Sequence, residues 1–152
     1  MGKVVDVKFT SNVDATIEAK NEAIEAALEA IGNQCVSHAK QNITKGVPRN
    51  AESWYTPTGN LRNSISHLVD IAEECVYVGT NVSYAIYNEY GTGKYAESDN
   101  GAKGRQSPWA YKGSDGKVHW TNGIKPLHFL RNAVQDHTDE YQKIAEQYLK
   151  RG

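Results

Sequence analysis

Five histidines, two cysteines and a few grouped carboxylates are the residues of this chain whose types could do chemistry. His38, His67, His119, His128 and His137 never stand three or four apart, so no helical turn offers two imidazoles to one metal ion. His137 falls on an apolar stripe, where a packed, hydrogen-bonded imidazole is the expected state rather than a ligand. Cys35 lies on the apolar face of a helix and Cys75 in a buried strand, so neither has the surroundings of an activated thiolate. Asp70, Glu73 and Glu74 gather at a turn, where carboxylates serve solubility more often than metal-assisted hydrolysis. Gly91-Thr92-Gly93-Lys94-Tyr95-Ala96 has the letters of a dinucleotide fingerprint. It lacks the strand before and the helix after that the mechanism needs. No Gly-x-Ser-x-Gly elbow is present. The expectation is a chain with no catalytic, cofactor-binding or metal-ligating residue, hence no enzyme.

The bulk properties narrow the class. The 152 residues make one domain. A formal charge of −1 argues against electrostatic binding of nucleic acid in bulk. No apolar run is long enough to span a membrane. Met1 to Phe9 alternates valine with charge and has no apolar signal core, so the protein is expected to start life in the cytoplasm. Leu, Ile, Val and Phe together form only about a fifth of the chain, a share at the edge of what a packed core requires. Nine tyrosines and three tryptophans supply the remaining large apolar surface, and such rings favour partly wet interfaces.

The elements that must position these residues follow from periodicity. Residues 3–9 alternate as a strand. Residues 14–43 read as a long helix: Ile17, Ile24, Leu28, Ile31, Cys35 and Ala39 share one face, acids crowd its first half, and Lys40 and Lys45 sit at its far end. A loop punctuated by Gly46, Pro48 and Pro57 continues through Ile65. Two strands are expected near 64–71 and 74–80, around a tight turn at 72–74, with Cys75-Val76-Tyr77-Val78 apolar enough for a central strand. Tyr84, Tyr87 and Tyr90 line a single helical turn that Gly91 ends. From Tyr87 to Lys117 there is no Leu, Ile, Val, Met or Phe. Residues 92–117 are therefore expected as a long glycine-rich loop, mobile or ordered by a partner, with Tyr95, Trp109 and Tyr111 as candidate anchors. A strand at 117–121 and a helix opening at Pro126 complete the chain. The helix stripe holds Leu130, Ala133 or Val134, His137, Tyr141, Ile144 and Tyr148. The fold class is α+β: a small antiparallel sheet against a long N-terminal and a C-terminal helix.

The order of motifs resembles the tail-completion, or head–tail joining, proteins of long-tailed bacteriophages, also labelled neck or minor capsid proteins. After a long helix comes Pro-x-Thr-Gly-x-Leu-x-x-Ser-Ile, met here by Pro57, Thr58, Gly59, Leu61, Ser64 and Ile65, except that Thr58 directly follows the proline. A hairpin leads to Tyr-Ala-x-Tyr-x-Glu-aromatic-Gly-Thr, here Tyr84, Ala85, Tyr87, Glu89, Tyr90, Gly91 and Thr92. The pattern closes with Pro-x-x-Phe-Leu-x-x-Ala, here Pro126, Phe129, Leu130 and Ala133, and His128 stands where the family tends to proline. The resemblance spans roughly residues 14–150. It implies a structural virion protein without catalysis or cofactor, assembled as a homo-oligomeric ring of six. Its implied partners are a head-side connector or stopper protein and tail-tube or tail-terminator proteins, with DNA passing through the lumen. On the residues themselves, Gly59 and Gly91 allow backbone shapes closed to other residues. Glu89 accepts hydrogen bonds from a neighbouring strand or subunit, and Phe129 and Leu130 anchor the last helix on the sheet. Two alternatives predict other things: a small metal-dependent hydrolase needs ordered carboxylates around an ion, and a binding module from a mobile element needs a stable monomer.

Overall fold

A computed structural model describes residues 5–8, 17–46, 59–97, 106–113 and 115–150. Its elements run β1 (Val5–Lys8), α1 (Ile17–Gly46), α2 (Asn60–Ser64), β2 (Ser66–Asp70), β3 (Cys75–Gly79), α3 (Ala85–Tyr90), β4 (Trp109–Lys112), β5 (Val118–Thr121), α4 (Phe129–Gln135) and α5 (Thr138–Lys150). The class is α+β, with a long N-terminal helix, two small antiparallel sheets and a C-terminal helical arm.

The first sheet has the order β1-β3-β2. β3 is central because it can bury both faces, and Cys75, Val76 and Val78 are buried. Val69 opposes Val76 on one side of it, and Val7 opposes Val76 on the other. β2 and β3 are joined by a tight turn in which Asp70 Oδ1 accepts the Glu73 N–H at 3.1 Å, and Glu74 takes a left-handed φ of 50°. One oxygen of the acidic turn is thus committed to backbone capping.

α1 carries the core. Ile24, Ala27, Leu28, Ile31, Cys35, Ala39 and Ile43 are buried along one stripe, and each large aliphatic among them contributes about 1.5–3 kcal/mol by leaving water. The stripe lies against β2 and β3 and against α4 and α5. Leu61, Ile65, Ala85, Phe129, Leu130, Ala133 and Tyr141 complete the same core. Gly32 sets how closely helix and sheet approach: a Cβ there would lie 2.5 Å from His67 Cδ2 on β2 and 2.9 Å from Cγ2 of the fully buried Val76 on β3.

Three elements depart from expectation. α2 forms within the stretch read as loop, because Gly59 at φ 82° turns the chain into it and Leu61 is buried beneath it. The segment 92–117, expected to lack structure of its own, holds a short 3-10 turn at Gly93–Tyr95 and strand β4, whose partner is β5; residues 98–105 lie outside the described residues. The final helix begins at Phe129 rather than Pro126, and it breaks at Asp136 and His137 into α4 and α5. No described helix is long and apolar enough to cross a membrane.

Gly32→Ala should lower the unfolding free energy measured with denaturant by up to about 2 kcal/mol, since overpacking against His67 and Val76, at about 1–3 kcal/mol, outweighs the roughly 1 kcal/mol of helix propensity that alanine adds. A raised midpoint would show that the helix–sheet approach tolerates a methyl group.

Candidate functional site

The two motif segments around Glu89 and Phe129 are far apart in sequence and meet as one seam. α3 is short and follows Tyr84 at its N-cap, whose backbone carbonyl accepts the Tyr87 N–H at 3.1 Å. It ends at Gly91, whose N–H donates to Tyr87 O at 2.9 Å and whose φ of 78° is left-handed. A side chain at 91 would also strike Ile124 O at 2.7 Å and Pro126 Cδ at 2.9 Å, so this glycine is required by both backbone shape and space. Immediately beyond it, Thr92 exchanges two bonds with Ile124: its N–H donates to Ile124 O, and its Oγ1 accepts the Ile124 N–H, both at 2.9 Å. Lys94 N–H donates to Asn122 O at 2.8 Å. On the near side, Leu127 and His128 N–H groups donate to Asn88 O and Glu89 O at 2.8 and 3.1 Å.

Glu89 stands at the centre and is fully buried. Its Oε2 accepts the Leu130 N–H at 2.8 Å and its Oε1 the Arg131 N–H at 2.9 Å. These are orphan donors of the first turn of α4, which has no side-chain cap of its own at His128. A carboxylate at a helix N-terminus also meets the positive end of the helix dipole. Burial pushes the Glu89 carboxyl above the ordinary glutamate range. The two amide donors and the nearby His128 and Arg131 charges pull it down and do not cancel the burial. The expected acceptor role of Glu89 holds in kind, with a correction of partner: the donors belong to a helix N-terminus of its own chain.

Around this clasp, His128 has φ 49°. Proline cannot adopt that angle, and it could not donate the His128 N–H to Glu89 O, so this position departs from the resembled pattern in backbone as well as in residue type. His128 Nε2 lies 2.8 Å from Glu97 Oε1, and Arg131 reaches Glu97 Oε2 at 3.0 Å. Among the described residues His128 Nδ1 is buried without a hydrogen-bond partner.

The other expected site residues sort clearly. Gly59 takes φ 82°, as expected of it. Leu61, Ala85, Phe129, Leu130 and Ala133 are core. Ser64 Oγ donates to Leu61 O at 2.7 Å and lies 2.5 Å from Thr80 Oγ1, tying α2 to the end of β3. Tyr84 packs on the core, and Tyr87 is 49% exposed. Pro126 precedes α4 and covers Gly91. Thr58 lies outside the described residues. Burial pushes the Cys35 thiol up, as an unreactive cysteine requires.

The loop anchors need revision. Trp109 and Tyr111 occupy the inner face of the β4–β5 hairpin, opposite Thr121 and His119. The Trp109 ring lies against Gly93, and Tyr111 stacks on His119 with centroids 5.5 Å apart. Tyr95 is partly exposed, with Lys125 Nζ 5.7 Å from its ring centre. The aromatic that the hairpin leaves in water is Trp120, at 72%, beside Val118 at 67% on the outer face. The alternation Val118-His119-Trp120-Thr121 carried that signal, but it could be read only once β4 was known to be its partner.

Two histidines far apart in sequence also meet. His38 of α1 and His137 of the helix break stack with ring centroids 3.4 Å apart, and Glu140 faces both. Sequence spacing within one helix could not show a pair built from two. Comparison of the chain with family models, with curated proteins and with solved structures gives no match.

Glu89→Ala should cost on the order of 2–4 kcal/mol, combining a lost helix cap with two unmatched buried donors, and Glu89→Gln less, since one acceptor oxygen remains. The folded carboxyl holds its proton to higher pH than the unfolded one. Its stabilising contribution is therefore complete below about pH 4.3 and is lost as pH rises through the folded value. The gap in melting temperature between wild type and Glu89→Gln should narrow from about pH 4 toward neutrality; a widening gap would mean that the donors outweigh burial. Gly91→Val should destabilise by about 1–3 kcal/mol or more from backbone strain alone, while Ala96→Val, at a half-buried extended position, should shift the melting temperature little. Equal small effects from both would contradict the seam.

Proposed function

We propose that this chain is a structural protein of a bacteriophage neck, completing the tail end or joining the tail to the DNA-filled head as one subunit of a sixfold ring. One observation carries the reading: the two segments that resemble the tail-completion family, 84–92 and 126–133, form a single hydrogen-bonded seam centred on Glu89. A chance likeness between two short stretches gives no reason for them to interlock; a shared structural unit does. The surface adds support. Val118 and Trp120 on the hairpin, with Leu68 on the edge strand β2, are large apolar side chains held in water, as expected of a subunit that meets neighbours. In this reading the partners are further copies of the chain, a head-side connector or stopper, and tail-tube or terminator proteins. DNA passes the lumen without base-specific contact. The protein resides in the host cytoplasm during assembly and in the virion afterwards.

Deletion of the gene from its phage should leave DNA packaging and tail-tube polymerisation intact and abolish their joint. Electron microscopy of the lysate should show filled or leaking heads apart from tails, and purified protein added to the extract should restore joined particles. Normal infectious particles from the deletion would end this reading. A strictly monomeric protein that also fails to assemble with tails would favour the binding-module alternative.

A further inference from the structure

We propose that His38, His137 and Glu140 bind one divalent transition-metal ion of the zinc class, stapling α1 to the junction of α4 and α5. The three residues come from three different places in the fold: the middle of α1, the two-residue break after α4, and the first turn of α5. Their ligand atoms nevertheless converge. Glu140 Oε2 lies 2.9 Å from His38 Nε2 and 3.5 Å from His137 Nδ1, and all three atoms fall within 4.8 Å of one another. A tetrahedral zinc ion with bonds of about 2.0–2.1 Å holds its ligand atoms roughly 3.4 Å apart, so the two separations from Glu140 lie within about half an ångström of that spacing. Charge agrees as well. Two imidazole nitrogens face one carboxylate oxygen, and a dication between them would take two neutral imidazoles and a carboxylate as ligands. That set suits zinc, cobalt or nickel, whereas magnesium and calcium prefer all-oxygen cages.

The rings stack almost parallel, at 4°, so one must turn before both lone pairs aim at the same point. His137 is the free one: its side chain is 32% exposed against 11% for His38, and it stands where the helix is interrupted. Glu140 is 40% exposed, which leaves solvent to fill the remaining coordination position. Gln34, one turn before His38, lies 3.5 Å from His38 Nε2 and is placed to hydrogen-bond such a water. Tyr141, its ring about 6 Å from both imidazoles and its hydroxyl donated to Ala133 O, is the apolar floor.

The test uses the full chain stripped with chelator. Titration with zinc chloride by calorimetry should give one ion per chain, and cobalt chloride should give the visible absorption bands of low-coordinate cobalt. Zinc should raise the melting temperature, while magnesium and calcium should not. His137→Asn and Glu140→Gln, checked for folding by circular dichroism, should each weaken zinc binding at least tenfold. His119→Asn, which alters the exposed His119–Asp115 pair elsewhere, should leave it unchanged. If His137→Asn fails to fold, Glu140→Gln alone decides. Absence of stoichiometric zinc binding, or binding that survives Glu140→Gln undiminished, overturns the proposal.

Discussion

A buried negative charge governs how the C-terminal third of this protein attaches to the rest. The Glu89 carboxylate has left water entirely, and its direct hydrogen bonds come from the amide groups at the head of α4, with the His128 and Arg131 charges nearby. Without Glu89 those amides would be orphan donors in an apolar setting, and without them the carboxylate would be an unpaired buried charge. Each makes the other tolerable. Phe129, Leu130 and Ala133 can enter the core beside α1 only because the polar head of their helix is satisfied at that point. Asn42 Nδ2 of α1, donating to Phe129 O at 3.1 Å, fixes the same turn from the other side.

The seam also explains Gly91 and Pro126 of the two motif segments, and Gly93 just beyond, without separate arguments. Gly91 must turn with positive φ and lie under Pro126 so that Thr92 can pair with Ile124. Gly93 carries the chain past Asn122 and beneath the Trp109 ring. The β4–β5 hairpin is held to the body through this stretch. That matters because a two-stranded ribbon is marginal by itself.

Much of the scaffold could be read from the residues. The α1 stripe, the alternation of β1, the apolar run of β3 and the glycine stop at 91 are local patterns, and local patterns survive in one dimension. What escaped reading is relational. Gly32 matters through Val76, Glu89 through Leu130 and Arg131, Trp109 through Gly93, and His38 through His137; each pairing spans a chain distance over which periodicity carries no information. The break at Asp136 and His137 escaped for a different reason. The apolar stripe continues across it, so nothing in the pattern marks the two residues where the helix lets go. Trp120 and Trp109 are chemically alike, and only strand pairing assigned one inward and one outward.

The separation of Glu89 from its helix has a kinetic meaning. The β2–β3 hairpin closes over a turn of a few residues, and α1 is local throughout, so both can form early at small entropic cost. The Glu89 clasp must close a loop of 41 residues, and loop-closure entropy delays such contacts until something else brings the ends together. Phe129, Leu130 and Tyr141 belong to the part of the core that only this long closure completes, so the α1 stripe is the surface left open in any state that precedes the clasp, and such a surface favours aggregation.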